Sequence, residues 1–291
     1  MTNKLLFLLL FNFVLNPSFS QVKNFGSFSQ KDWEVKKCSF DSTAKALILF
    51  DYGNVTIQIK SDHKNREEDC PLKLEFYEMT FSRNLRIKIL DTFGLKTNKL
   101  TFKLKTKNNL TDKLSMFKGT TSWMENGKKN KVKFNSTILI KEKDDDGNYI
   151  MTCGFPNIKA GCIIEIEYII VSNNFDELPE WNFENEIPAI YSEFGFSIPD
   201  FLVYQSDYEI FDLLTSDGFS EQTSHEVYFS TTDGNYLIKK YEYNNEKKSY
   251  KLMNIKGSPN SDTKGQLRHT LKSNNIQTVF GKKESINLYK K

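Results

Sequence analysis

Apolar and polar residues alternate with a period of two along much of the chain, and that spacing predicts strands. In residues 162–171, Cys162, Ile164, Ile166, Tyr168 and Ile170 share one face, opposite Ile163, Glu165, Glu167, Ile169 and Val171. Leu72, Leu74 and Phe76 alternate with Lys73, Glu75 and Tyr77, and Leu85, Ile87 and Ile89 with Arg86 and Lys88. Leu100, Phe102 and Leu104 alternate in the same way with Thr101, Lys103 and Lys105. Each run has one apolar and one polar or cationic face, as an antiparallel sheet with a wet outer side requires. Residues 47–51 and 55–59 are strand-like, with Asp51, Tyr52 and Gly53 read as a turn between them. Asn126-Gly127, Asp146-Gly147 and Asp233-Gly234 suit the positive φ of two-residue hairpin turns. Ser29 followed by Asp32 marks the start of a short helix. Strands do not alternate with long helical patterns, which disfavours a parallel βαβ fold. The expected fold is all-β: an antiparallel β-sandwich with a short N-terminal helix.

Residues 161–200 carry the densest features. Glu165 and Glu167 on one face have the spacing of an acid/base pair or a cation site, but a solvated outer face is the expected role. Beyond them, Pro179, Pro188 and Pro199 confine the chain to edges and bends, because each lacks a ladder donor. Trp181, Phe183, Tyr191, Phe194 and Phe196 are expected to plug a sandwich core, or alternatively to form a platform for a sugar or peptide. Asp144, Asp145 and Asp146 precede Gly147 without the glycine placement and distal glutamate of a calcium loop, and read as a hairpin tip.

Composition adds a compartment. Residues 1–20 hold one charge, Lys4, an almost wholly apolar run and then Pro17, with Ser18 and Ser20 before Gln21. This is the pattern of a secretory signal peptide, and no later stretch is long and apolar enough to span a bilayer. The mature chain is expected to be secreted across the inner membrane into the periplasm or beyond. Cys38, Cys70, Cys153 and Cys162 then sit where disulfides persist. Cys153 and Cys162 flank a turn and could pair across a hairpin, leaving Cys38 with Cys70, although three pairings are possible. No close C-x-x-C spacing supports zinc. Residues 239–291 hold 13 Lys and Arg against 4 Asp and Glu, and residues 21–238 hold 26 against 33. The expected organisation is a signal peptide at 1–20, a β-sandwich domain at 21–238 and a basic, partly disordered tail at 239–291. Without clustered aromatics that tail does not predict specific nucleic-acid binding.

Gly161-Cys-Ile-Ile-Glu165, then Trp181-Asn-Phe183 leading to Ile187-Pro188, then Tyr191-Ser-Glu193, resemble the envelope-protein family known as domain of unknown function 3857. Gly161, Glu165, Trp181, Phe183, Pro188 and Glu193 carry the likeness, which covers roughly residues 22 to 210; Glu184 replaces the family's usual glutamine and Ile166 its usual aromatic. The resemblance implies the N-terminal accessory module of transglutaminase-like envelope proteins. Papain-like chemistry needs a cysteine, a histidine and an aspartate. The 91 residues after Asp200 contain no cysteine to serve His225 or His269.

No catalytic residue, cofactor or metal site is therefore expected. The expected function is binding or accessory, with an envelope protein or polymer, or a transglutaminase-like protein, as partner. The alternatives are half of a split transglutaminase-like enzyme, an adhesin-like structural piece, or a degenerate hydrolase using Glu184, Glu186 and Glu193 on peptide or glycan. That hydrolase would need one of the three buried in a cleft.

Overall fold

The computed structural model describes residues 25–59, 77–92, 98–108, 110–208, 215–230, 236–257, 266–274 and 285–289. The 1–20 leader, the loop with His63 and Cys70, the strand expected at 72–76 and the turn at 233–234 lie outside them. Helix α1 (Gln30–Glu34) precedes β1 (Ala46–Ile59), β2 (Tyr77–Ile89), β3 (Lys99–Leu104), β4 (Thr106–Lys107) and β5 (Leu110–Thr111). Then come β6 (Lys113–Glu125), β7 (Lys128–Asn135), β8 (Leu139–Lys143), β9 (Tyr149–Gly154), β10 (Ile163–Ser172) and β11 (Trp181–Asn182). The chain continues with β12 (Ala189–Pro199), β13 (Leu202–Tyr208), β14 (Thr215–Ser230), β15 (Tyr236–Ile255), β16 (Gln266–Asn274) and β17 (Ser285–Tyr289).

The fold is all-β, as the alternation predicts. A main sheet runs β14-β15-β12-β1-β2-β10-β6-β7, with β17 added to β15. Its pairs are antiparallel except β1 with β12, which run parallel. Two three-stranded sheets, β3-β9-β8 and β11-β16-β13, cover one face. Phe102 of β3 stacks on Tyr168 of β10 at 4.5 Å, and Trp181 of β11 on Phe194 of β12 at 5.5 Å. Phe81 of β2 meets both Tyr168 and Trp181 edge-on, so the core between the layers is continuous. The helix begins as expected: Ser29 and Asp32 form a reciprocal capping box. Asn126 and Gly127 take φ of 51° and 72° between β6 and β7, and Gly147 takes 85° at the β8–β9 tip.

Four expectations are corrected. Residues 51–53 form no turn; β1 runs straight through them because Gly53 lets the Trp181 ring lie 2.3 Å from where a Cβ would stand. The described part of the basic, partly disordered tail expected at 239–291 is built into the sheets. The 238/239 boundary falls inside β15, which sits between β12 and β14, and Tyr243, Tyr250, Leu252, Ile255 and Leu267 are buried in the common core. The Cys153–Cys162 disulfide is not formed: Cys38, Cys153 and Cys162 are free and buried, while Cys70 lies outside the described residues. The reason is topological, since Cys153 belongs to β9 in a small sheet and Cys162 leads into β10 of the main sheet. Finally, the polar face of β2 and β10 is dry around Glu165, where the N-terminal segment lies across it, while Glu167 stays partly exposed beside Lys118. Arg86 and Glu165 are 0% exposed and Lys88 2%.

Candidate functional site

A cleft between the two small sheets has a volume of about 400 Å³. β2 and β10 supply its floor through Phe81, Arg83, Tyr168 and Ile170. One wall is β3, from Thr101 to Lys103; the other is the β11 segment, from Pro179 to Asn182. Each wall is the outermost strand of its sheet, so its unpaired backbone edge borders the cleft.

Arg83 fixes the floor electrostatically. Its Nε and NH2 donate to the two Asp51 carboxylate oxygens at 2.8 and 2.6 Å, and its guanidinium carbon lies 5.0 Å from the Trp181 ring centre. Burial pulls the guanidinium pKa down, but Asp51 and the Tyr168 hydroxyl outweigh it and hold Arg83 above its ordinary value. Burial likewise pushes the Tyr168 hydroxyl up, with Arg83 opposing. Trp181 donates its Nε1–H to Ser192 Oγ at 3.0 Å, which orients the indole.

The rim carboxylates are already engaged. Glu177 accepts from Lys105 at 2.9 Å across one end of the cleft, and Asp176 pairs with Lys107 beside it. Glu180 is bonded by Gln266 at 2.7 Å and pairs with Arg268 at 3.3 Å. Asp112 accepts the Lys105 backbone N–H at 2.9 Å. The Lys105 hydrogen bond lowers the Glu177 pKa, the reverse of what a general acid needs. These groups can orient a polar ligand, and Arg83 presents a permanent cation to it.

The residues on which the expected resemblance rests make structural contacts. Gly161, at φ 82°, offers its carbonyl to Lys88 Nζ at 2.7 Å. Glu165 accepts from Arg86 NH2 at 2.6 Å and from the Gly26 N–H at 2.5 Å, while Asp32 takes Arg86 NH1 at 2.8 Å. Phe28 and Phe50 lie 4.7 Å from that guanidinium. Phe183 is buried, and the Pro188 carbonyl accepts from the Ile48 N–H at 2.9 Å. Of the three hydrolase carboxylates, Glu193 is buried, takes the Tyr191 hydroxyl and lies 3.9 Å from Lys251. Glu184 is half-buried and Glu186 exposed. Glu193 faces away from the cleft, because its neighbour Ser192 points to Trp181. His269 is buried against Phe194, Phe196 and Tyr250.

Trp181 is the one candidate that reaches the cleft. Arg83 was missed, although it breaks the pattern of β2: a cation between Phe81 and Leu85 on the apolar face signals a buried acid, and Asp51 is that acid.

No protein-family model matches the chain, and no curated protein matches it. Among solved structures it is similar to a crystal structure from Parabacteroides distasonis described as a "putative protease", at 10% identity and a TM-score of 0.49. The match covers 78% of this chain and 41% of that one, so the chain spans about two fifths of the neighbour's length. No helix among the described residues is long and apolar enough to cross a membrane.

Proposed function

We propose that the protein is a secreted, non-catalytic binding or accessory protein of the bacterial envelope, and that the cleft over Arg83 and Trp181 receives its partner, an envelope protein or polymer. One observation carries this reading: a polar-rimmed concavity whose carboxylates are engaged by lysine, arginine and amide groups. Such a lining supplies recognition, and the Lys105 hydrogen bond lowers the Glu177 carboxyl, which disfavours proton transfer from it. The buried thiols stand apart from it; Cys153 is pushed up to about 11 by burial and Cys162 is also raised, which disfavours a thiolate nucleophile.

The test titrates the purified protein with isolated cell-wall polymer and with a purified transglutaminase-like envelope protein. Saturable binding to one of them, weakened at least about tenfold by filling the cleft with Asn182→Trp, is expected. Peptide or glycan turnover that disappears in Glu193→Gln would instead establish the hydrolase. Binding that ignores Asn182→Trp would remove the cleft from the assignment.

A further inference from the structure

The cleft walls are strand edges, and that restricts what fits between them. β3 pairs only with β9, and β11 only with β16, among the described residues. Both sheets lie on the same face of the main sheet, and the gap between them is floored by apolar side chains of β2 and β10. The second layer of the sandwich is therefore interrupted, with two free backbone edges facing one trough. Edge strands with free N–H and C=O groups are templates for another strand. We infer that the cleft takes an extended polypeptide segment of a partner protein as an added strand between β3 and β11, closing the two small sheets into one continuous layer. This rests on the cleft being the binding site proposed above.

Side-chain alternation gives the segment a composition. On β3, Leu100, Phe102 and Leu104 point to the core while Lys99, Thr101 and Lys103 are exposed. On the facing wall Trp181 points inward and Asn182 outward. A strand laid between them turns alternate side chains down onto Phe81, Tyr168 and Ile170 and the others outward beside Lys103, whose amine also meets Asp144 at 3.1 Å. The matching segment carries apolar residues at every second position and acidic ones between. The exposed lysines also guard the edge against indiscriminate pairing. A glycan fits less well, because Trp181 is 2% exposed, with Phe194 stacked on it and Gly53 pressed against it, so no aromatic face is open for a sugar ring. Six residues match the length of β3.

The probe is a capped six-residue peptide alternating Glu and Val, used with the full mature chain. Controls are the same peptide with lysine for glutamate, and the Glu–Val peptide N-methylated at alternate amides. The Glu–Val peptide is expected to bind and to slow hydrogen exchange in β3 and β11. N-methylation should weaken it at least about tenfold, since it removes ladder donors without changing charge. Lys103→Glu should weaken the acidic peptide and favour the lysine one; thermal melting confirms that the variant is folded. Equal affinity of the methylated peptide, or protection confined to other strands, overturns strand addition. If Asn182→Trp still abolishes partner binding in that case, the cleft stands and only the mode of occupancy falls. Protection of β3 that rises with protein concentration and no peptide would assign the trough to a second copy and also overturn the proposal.

Discussion

Arg86, Asp32 and Glu165 occupy a volume closed to water, where one cation faces two carboxylates. Removing the cation leaves both acids uncompensated, so Arg86→Met should cost about 3–5 kcal/mol in urea unfolding. Burial raises the Glu165 carboxyl above its ordinary 4.5, with Arg86 opposing less strongly. A raised folded-state pKa means that the native chain holds a proton which the unfolded chain releases. The Glu165 contribution is therefore full below about 4.5 and lost as pH rises through the folded-state value. In calorimetry, the melting temperature of the wild type relative to Glu165→Gln should fall across that window; a flat or rising difference would refute the assignment. Cys153 and Cys162 supply a second check. Both are 0% exposed, and both thiols are raised by burial. Native protein at neutral pH should leave them unlabelled by iodoacetamide, with full labelling only in denaturant, as read by mass spectrometry. The sequence exposed none of this at Glu165 and Arg86. Period two says which residues share a face but not which face is covered, and a short N-terminal segment was enough to bury the charged one.

At the scale of elements, glycines set how closely strands and rings approach. Gly119 of β6 lies under Phe134 of β7, where a Cβ would stand 1.9 Å from the ring. Gly119→Ala should destabilise by about 1–3 kcal/mol. Shrinking the ring should relieve part of this, so the Gly119→Ala, Phe134→Leu double variant should be more stable than the sum of the single losses predicts. Strands β3 and β10 and the 85–89 part of β2 were legible because one face of each is apolar, and the helix start because its cap is local. The local pattern divides β1 in two: Asp51 and Gly53 look like turn residues, yet Asp51 is held by Arg83 and Gly53 makes room for Trp181. The cleft was illegible for a related reason, since its walls come from sheets whose edges are set by pairings that no local pattern records.

For the whole molecule, the charge asymmetry misled. The lysine-rich region after residue 238 reads as a tail, but β15 needs only a few large side chains, among them Tyr243, Tyr250 and Leu252, to join the core. A chain ending at residue 238 would leave β12 paired only with β1 and remove β16 from between β11 and β13. Such a truncation should lose cooperative unfolding and bind a hydrophobic dye, whereas a true appendage would leave melting unchanged.

The parallel pairing of β1 with β12 also governs assembly. β1 ends at residue 59 and β12 begins at residue 189, so the middle of the main sheet joins parts of the chain more than a hundred residues apart. During synthesis, which delivers the N-terminus first, the backbone edge of β1 that pairs with β12, from Ile48 to Thr56, stays bare until β12 arrives. Refolding should be correspondingly slow, and throughout that delay a holdase chaperone would find its natural client in the unfinished half-sheet.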